Sequence, residues 1–247
     1  MKNLLSIIIP AQNEDGVIVK TVLAFHSTLK TENIKHEIIV INDGSTDQTA
    51  KVLKEIKLHF PILRVINNPP PHGFGLAVRL GLKKFTGDYV AIVMADLSDK
   101  PQDLIKYFKK ALEGYDCVFG SRFVRGAKVR DYPIHKLILN RITNNIIKLL
   151  FFIRYNDVTN AFKLYSKETI KGLTPLFSHG FNLTVELPLK SIVRGYSYAV
   201  VPTDWSNRKK GVSKLKIKEM GSRYFFIIFY CWLEKILSMG DYKKKLS

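Results

Sequence analysis

The stretch Glu37–Asp47 reads Glu-Ile-Ile-Val-Ile-Asn-Asp-Gly-Ser-Thr-Asp, a continuous apolar run followed by a polar turn. An apolar run without polar alternation is typical of a strand that is buried on both faces of a parallel sheet. Gly44 permits a tight turn, and Ser45 or Asp47 can cap the helix predicted over residues 47–59. The stretch therefore predicts a strand–turn–helix unit of an α/β protein.

Similar units repeat through the first half of the chain. The predicted strands are Leu4–Ile9, Glu37–Ile41, Ile62–Ile66, Tyr89–Met94 and Asp116–Phe119. The predicted helices are Glu14–Leu29, Asp47–His59, Phe74–Phe85 and Gln102–Leu112. This alternation predicts an open, mostly parallel twisted sheet with helices on both faces, whose ligands bind at the carboxyl ends of the strands.

The second half has a different pattern. Its predicted elements are a long amphipathic helix (Ile134–Ile153), a turn and short strand (Val158–Tyr165), a helix (Asn182–Arg194), a strand (Tyr198–Pro202), a basic loop (Asn207–Lys218) and an aromatic-rich helix (Met220–Leu237). Amphipathic helices of this basic and aromatic kind can lie in the headgroup region of a bilayer. Alternatively, they cover the sheet or form a dimer interface.

The charge of the 247-residue chain is concentrated in this second half. The formal net charge is +18, and residues 122–247 hold 24 of the 39 Lys and Arg but 8 of the 21 Asp and Glu. An anionic partner is therefore expected, with nucleic acid, a membrane surface and a phosphorylated substrate as candidates. A hydrophobic content of 46% excludes a mainly disordered chain.

Two further features limit the class of protein to which the chain can belong. Cys117 and Cys231 lie in apolar runs and are interpreted as buried free thiols. The longest uncharged apolar stretch, Tyr224–Leu233, falls well short of the roughly 20 residues that a membrane-spanning helix needs. The chain is not expected to cross a membrane by itself.

Two carboxylates follow predicted strands directly. Asp43 can accept hydrogen bonds from a nucleoside, although an ordinary strand-to-helix turn explains its motif equally well. Asp96 can hold a divalent cation that bridges a diphosphate, since Mg²⁺ and Mn²⁺ prefer hard oxygen ligands. Ser98 or Asp99 can instead cap the next helix, and Asp99 is divided between that role and an outer-shell role at the metal.

Two loops carry weaker signals. The glycine-rich stretch His72–Ala77 permits close approach of a phosphate to the backbone, but its spacing also fits a plain loop. In the basic loop, Arg208 and Lys214 can clamp phosphates, the guanidinium in a bidentate manner. A solvated charge run is the alternative for this loop.

Taken in order, these motifs resemble a known family. The segments are Ile-Ile-Pro-Ala-Gln-Asn-Glu at 8–14, Asn-Asp-Gly-Ser-Thr-Asp at 42–47, Ala-Asp at 95–96, Gly-Ser-Arg at 120–122, Asn-Ala-Phe-Lys at 160–163 and Asn-Arg-Lys-Lys-Gly-Val-Ser-Lys at 207–214. They are similar to family 2 inverting glycosyltransferases with the GT-A fold, in the dolichol-phosphate mannose synthase and polyprenol-phosphate glycosyltransferase branch. The resemblance covers roughly residues 4–218.

The resemblance implies roles for particular residues. The donor nucleotide would be bound by Pro10, Glu14, Asp43 and Asp96, and Asp96 would also hold Mg²⁺ or Mn²⁺. The acceptor phosphate would be bound by Arg122, Lys136 and Arg208. The catalytic residues would be Asp96, Arg208 and Lys214. Residues 1–122 would form the nucleotide-sugar half, 123–218 the acceptor-binding part of the same domain, and 219–247 a membrane-contacting helix and tail. Met94 stands where the family has the first Asp of its Asp-x-Asp motif, which weakens the expected metal site.

The expected reaction moves a sugar from a UDP- or GDP-linked donor to a polyprenyl phosphate of undecaprenyl or dolichyl type. Such an acceptor is already an anion, because the second pKa of a phosphate monoester is about 6, so no catalytic base is required. The expected location is the cytoplasmic face of the membrane, with peripheral attachment. A cell-surface glycan acceptor is the alternative, a non-enzymatic nucleic-acid-binding protein is a distant one, and homo-oligomerisation stays open.

Overall fold

The computed structural model describes residues 3–206 and 217–244, with side chains from Gly221 onward in the second range. The strands are β1 (Leu5–Ala11), β2 (His36–Asn42), β3 (Leu63–Asn67), β4 (Tyr89–Ile92), β5 (Cys117–Ser121), β6 (Val129–Arg130), β7 (Lys163–Ser166), β8 (Tyr198–Pro202) and β9 (Trp205–Ser206). The helices are α1 (Ile18–Thr31), α2 (Thr49–Lys57), α3 (Phe74–Lys84), α4 (Pro101–Ala111), α5 (Ile134–Phe151), α6 (Lys167–Gly172), α7 (Leu183–Val193) and α8 (Ile217–Leu237).

Seven strands form one sheet in the order β3-β2-β1-β4-β7-β5-β8. The neighbouring strands β3, β2, β1 and β4 are parallel, as are β5 and β8. Strand β7 is antiparallel to both β4 and β5, between which it lies. Because β7 and β8 come from the second half of the chain, both halves build the same sheet.

Helices cover both faces of the sheet, as the alternating pattern predicts. Side chains alternate along a strand, so Ile8 and Ile39 join the core with α3, α5, α7 and α8, whereas Ile7 and Ile38 join the core with α1, α2 and α4. All four side chains are fully buried. Burial on both faces is the physical reason for the uninterrupted apolar runs in β1 and β2.

The last helix is part of the folded domain. Its Ile227, Ile228 and Cys231 are buried in the core that α7 also lines. The guanidinium of Arg194, at the end of α7, forms a buried ion pair with Glu234 of α8, with N–O distances of 2.7 and 2.9 Å. This pair holds one face of α8 against the α/β core while the opposite face reaches the surface.

Most predicted elements are confirmed with small shifts at their ends. The sequence did not indicate α6 or the parallel pair β6–β9. Cys117 and Cys231 are buried and unpaired, and burial raises the pKa of Cys117 to about 12. Within the described residues, no helix combines the length and the apolar character needed to span a bilayer.

Candidate active site

The loops that follow β1, β2, β3 and β4 meet at one edge of the sheet, because parallel strands end on the same side. The first two loops are joined by hydrogen bonds: the side chain of Gln12 donates to the Asp43 carbonyl at 3.0 Å, and Thr46 N–H donates to the Asn13 side chain at 2.8 Å. Asn13, Gly44 and Leu97 all adopt positive φ angles, of 56°, 64° and 58°. Left-handed backbone in non-glycine residues costs free energy and concentrates at functional sites.

The two predicted donor residues of the first loop lie in different environments. Pro10 is buried inside β1, where it pairs in register with Ile41. Glu14 is half-buried in the loop, and its backbone N–H donates to Thr49 Oγ1 at 2.8 Å. Glu14 therefore lies on the ligand-accessible edge, whereas Pro10 shapes the strand beneath it. Their nucleotide contacts stay predictions.

Asp43 is buried at the end of β2, with an exposed fraction of 4%. Its carboxylate accepts hydrogen bonds from the Asn68 side chain at 2.7 Å and from Gly73 N–H at 3.0 Å, and it lies 3.4 Å from Nδ1 of His72. The His72 ring also covers Gly44, where an added Cβ would lie 2.4 Å from Nε2. Asp43 thus ties the end of β2 to the loop after β3. Its contact with a nucleobase stays a prediction.

Asp96 lies partly exposed in the turn after β4 and points into the site edge of the sheet. One of its carboxylate oxygens accepts the N–H of Ser98 at 3.1 Å, across the left-handed residue Leu97. Thr21 of α1 donates to the carbonyl of Ala95 at 2.6 Å and so holds the turn in place. The position of Asp96 is therefore set by backbone geometry before any ligand binds.

Asp99 does not cap the following helix, which has no side-chain cap. Its buried carboxylate instead accepts the N–H of Met94 at 2.9 Å and closes the turn that presents Asp96. Burial raises the pKa of Asp99 to about 7, and the nearby charge of Asp96 adds to this rise. Of the two roles left open by the sequence, the structure favours support of the Asp96 turn.

The residues around Asp96 suit a metal ion that is shared with a ligand. Among residues 3–206 and 217–244, no three His, Cys, Asp or Glu side chains are grouped so that they could hold a metal by themselves. Mg²⁺ commonly binds through one or two carboxylates together with substrate phosphates and water. A single partly exposed carboxylate at a strand end therefore fits an ion bridged by a diphosphate, and not a site built by the protein alone.

Arg122, at the end of β5, is buried and paired with Asp157. Its backbone N–H, Nε and Nη2 donate to the two carboxylate oxygens at 2.9, 2.8 and 2.7 Å. The guanidinium carbon also lies 5.4 Å from the ring centroid of Tyr132 and 5.9 Å from that of Trp205. Burial lowers the pKa of Arg122, but the charge and hydrogen bonds of Asp157 outweigh that effect and raise it.

Lys136 lies on α5 at the mouth of an apolar cleft of about 580 Å³ between α5 and α8. We call this the α5–α8 cleft. Its apolar walls are Leu139, Ile146, Leu150, Phe225, Ile228, Phe229 and Trp232. Its polar residues are Tyr132, Lys136, Asn140, Thr143, Thr159 and Tyr224.

The polar end of the α5–α8 cleft adjoins Arg122. Tyr132, which lines the cleft, is also in contact distance of the Arg122 guanidinium. At the other end, Lys235 of α8 donates to the carbonyl of Phe151 at 2.7 Å, so the carboxyl ends of α5 and α8 meet. The two helices thus run in the same direction, and the cleft leads from Arg122 toward an apolar end.

The chain before the basic loop is held against this site. Asp103 of α4, which is 2% exposed, accepts the N–H of Asp204 at 2.9 Å and the hydroxyl of Thr203 at 3.1 Å. Trp205 bridges to Asp99 through the backbone. Arg208 and Lys214 lie outside the described residues, and their roles stay predictions.

The sequence analysis missed three features of the site. Asp157, the partner of Arg122, lies 35 residues away in the chain. The available signal was the scarcity of acidic residues in the second half, where each one is a candidate partner for a buried cation. The pair His72–Asp43 was also missed; it joins the end of β2 to the loop after β3, and β1 lies between β2 and β4, the strand that precedes Asp96. Neither local pattern nor spacing indicated the α5–α8 cleft.

Solved structures with the same fold are similar over nearly the whole chain. A mycobacterial protein has a TM-score of 0.70 at 19% identity, covering 93% of this chain and 74% of that one. Glucosyl-3-phosphoglycerate synthase from Mycobacterium tuberculosis, in complex with Mn²⁺, UDP and glucosyl-3-phosphoglycerate, has a TM-score of 0.68 at 19% identity, covering 94% and 80%. These likenesses show the fold, and they confirm the expected GT-A architecture.

Two curated relatives are more similar in sequence. The dolichol-phosphate mannosyltransferase of Pyrococcus furiosus is 30% identical over 218 residues, which cover 86% of this chain and 59% of that protein. The polyprenol monophosphomannose synthase of Mycolicibacterium smegmatis is 29% identical over 217 residues, which cover 85% and 80%. The chain therefore spans about three fifths of the archaeal relative and four fifths of the mycobacterial one.

A family comparison agrees with the motif order. Residues 6–174 match the description "Glycosyl transferase family 2". The matched range runs from β1 to the residues after α6 and includes Asp43, Asp96, Arg122 and Asp157. With more than half of its residues in this match, the chain belongs to glycosyl transferase family 2.

Proposed function

We propose that the chain transfers a sugar from a UDP- or GDP-linked donor to a polyprenyl phosphate at a membrane surface, with inversion at the sugar. The observation that carries this proposal is the α5–α8 cleft, an apolar channel that Lys136 also lines and whose Tyr132 contacts the buried guanidinium of Arg122. A phosphate attached to a long hydrocarbon needs both environments side by side. The names of the two curated relatives agree with such an acceptor.

The donor is proposed to bind in the first part of the chain, residues 1–122, at the ends of β1, β2 and β4. Glu14 and Asp43 would contact the nucleoside, and Asp96 would lie beside the diphosphate. The hydrogen bonds between the first two loops and the burial of Asp43 make this edge rigid. Rigidity reduces the conformational entropy that the protein loses when the donor binds. A panel of UDP- and GDP-linked sugars identifies the base and the sugar that the protein accepts.

Mg²⁺ or Mn²⁺ is proposed at Asp96. When bound, such an ion would neutralise charge on the departing nucleoside diphosphate. Asp99 contributes by holding the backbone turn that presents Asp96, through its bond to Met94. The complexes of the M. tuberculosis synthase with Mn²⁺ and UDP support a divalent ion in this fold.

The acceptor is proposed to bind in residues 123–218 together with α8. Its phosphate would meet Arg122 and Lys136 at the polar mouth, and its isoprene chain would follow the apolar walls. Asp157 holds the Arg122 guanidinium in one orientation, so little reorganisation is needed when an anion approaches. The phosphate monoester is the nucleophile, and Arg208 and Lys214 would hold the two phosphates close together.

Residues 219–247 are proposed to contact the membrane. Outside the cleft, α5, its C-terminal neighbour Phe152 and α8 expose large apolar side chains: Leu149 at 72%, Phe152 at 86%, Phe226 at 61% and Leu237 at 67%. The two helices and the residues just after α5 also carry basic residues: Arg141, Lys148, Arg154, Arg223 and Lys235. Each Lys or Arg near an anionic lipid surface contributes about 1 kcal/mol. Attachment to the cytoplasmic face stays a prediction.

An acceptor and donor panel tests this proposal. The protein is incubated with labelled UDP- and GDP-sugars, Mg²⁺ or Mn²⁺, and polyprenyl phosphate in vesicles, and label in extracted lipid is expected. Label in a glycan or water-soluble product would instead support the alternative acceptor. Salt-sensitive oligonucleotide binding without nucleotide-sugar binding would support the nucleic-acid hypothesis. Either of these two results would overturn the proposal that the acceptor is a lipid.

A further inference from the structure

Asn144 is a fully buried amide on the inner face of α5, beside the buried side chain of Ile147. A buried amide costs free energy unless its donors and acceptor are satisfied. Its Oδ1 accepts the N–H of Val158 at 2.6 Å, and its Nδ2 donates to the Asn140 carbonyl at 2.8 Å and to Thr159 Oγ1 at 3.1 Å. The bonds to Val158 and Thr159 therefore join α5 to the segment 158–159, while the bond to Asn140 stays within the helix.

That segment positions the partner of Arg122. Val158 directly follows Asp157, whose carboxylate accepts three hydrogen bonds from Arg122. On the opposite side, the buried ammonium of Lys163 donates to the carbonyls of Val158, Asn160 and Thr184. The backbone that follows Asp157 is thus bonded both to α5, through Asn144, and to strand β7, through Lys163.

The same amide also touches the cleft wall. Asn140 and Thr159 line the α5–α8 cleft, and Asn140 Nδ2 donates to Thr159 Oγ1 at 2.7 Å. A molecule in the cleft therefore contacts side chains that bond Asn144 directly. This hydrogen-bonded route reaches Arg122 through Val158 and Asp157, in addition to the direct contact of Tyr132 with the guanidinium. Hydrogen-bonded chains of this kind can carry energetic coupling between sites.

We propose that Asn144 is a positioning residue that couples occupancy of the α5–α8 cleft by the acceptor's hydrocarbon chain to the orientation of Arg122. This inference rests on the proposed function. A long chain that fills the cleft packs against Asn140 and Thr159 and so stabilises the existing bonds of Asn144 to segment 158–159, which keep Asp157 and Arg122 in their paired orientation. Binding energy from the acceptor's hydrocarbon chain, which is remote from the reacting phosphate, in this way lowers the barrier to sugar transfer. Acceptors with a shortened chain are therefore expected to have a lower kcat as well as a weaker affinity.

The test compares two acceptors in three proteins. The acceptors are a long polyprenyl phosphate and a phosphate with two isoprene units; the proteins are wild type, Asn144→Ala and the matched control Asn145→Ala. Asn145 is the exposed neighbour on the same helix. In wild type, kcat is expected to be higher with the long acceptor. In Asn144→Ala that advantage is expected to shrink by about ten-fold with little change in KM, because the chain still binds. Asn145→Ala is expected to match wild type.

The outcomes separate the inference from the function on which it rests. Nucleotide affinity and Tm of Asn144→Ala are measured alongside, since a merely structural defect would lower turnover of both acceptors equally. Equal losses for both acceptors, or an unchanged kcat ratio, would overturn the coupling. If Asn144→Ala does not fold, Asn144→Ser replaces it; its shorter side chain leaves a polar group in the pocket but does not span the distance to Val158 N–H, and it must give the same loss of ratio. A wild type that binds nucleotide but labels neither acceptor rejects the proposed function and the coupling together.

Discussion

The guanidinium of Arg122 and the carboxylate of Asp157 form a bidentate ion pair at the end of β5, with N–O distances of 2.8 and 2.7 Å. The side chain of Asp157 is fully buried and that of Arg122 is 8% exposed. Removing one member of a buried pair leaves an uncompensated charge, which costs about 3–5 kcal/mol. The pair thus stabilises the fold and also orients Arg122, the residue proposed to bind the acceptor phosphate.

Substitution of Asp157 tests this tie. Asp157→Asn is expected to lower the free energy of unfolding by about 3 kcal/mol and to reduce turnover, because Arg122 loses its counter-charge. Urea denaturation and initial rates measure the two effects. Asp241→Asn, an exposed carboxylate, serves as control and is expected to change neither. Wild-type stability in Asp157→Asn would show that the pair is energetically neutral.

Asp96→Asn tests the proposed metal role. Turnover is expected to fall roughly 100-fold or more, since charge neutralisation at the leaving group is lost. The Ser98 N–H can still bond the amide oxygen, so the turn and the Tm are expected to stay unchanged. Rates are measured against Mn²⁺ concentration, with exposed Asp131→Asn as control. An undiminished rate would remove Asp96 from the metal site.

The exposed aromatic face of α8 is tested with vesicles. The substitution Phe226→Ser is expected to reduce co-sedimentation with anionic vesicles, because Phe226 is 61% exposed, lies outside the α5–α8 cleft and supplies apolar area to the proposed membrane-contacting surface. Leu58→Ser is the control, since Leu58 is 80% exposed but lies at the end of α2. Equal binding by both variants would argue against membrane contact through α8.

The buried carboxylate of Glu37, far from the site, predicts a pH dependence of stability. Burial alone would raise its pKa, but hydrogen bonds from Ser6, Thr86 and Arg64 outweigh this and lower it. The stabilising contribution of Glu37 is therefore complete above pH 4.5 and is lost as pH falls toward the lowered pKa. Denaturation of wild type and Glu37→Gln at pH 7 and pH 4 measures it. The stability difference is expected to shrink at pH 4, and a constant difference would contradict this assignment.

Arg208 is tested by kinetics. Arg208→Ala is expected to lower kcat more than it weakens nucleotide binding, since the clamp acts mainly on charge that develops during transfer. Lys209→Ala, its neighbour in the same basic run, is the control. Near-wild-type kcat in Arg208→Ala would indicate a solvated charge run.

The sequence by itself determined the α/β class, the order of the strands along the chain and the edge at which ligands bind. These features depend on local patterns. Apolar runs such as Ile38–Ile41 are stable when both faces of the sheet are covered, and turn residues such as Gly44 mark where a strand ends. Asp43 and Asp96 could be singled out from the sequence because a strand end is a local feature, and their roles in binding stay predictions. The charge asymmetry likewise indicated an anionic partner without naming it.

Only the tertiary structure decided which residues act together. The antiparallel insertion of β7, the pairing of Arg122 with Asp157 and the contact of Asn144 with Val158 join residues that are distant in the chain. Their pairing depends on which buried groups compensate one another once water is excluded, and sequence spacing carries no record of that. The α5–α8 cleft is likewise a property of two helices packed side by side, since neither helix forms a cleft alone.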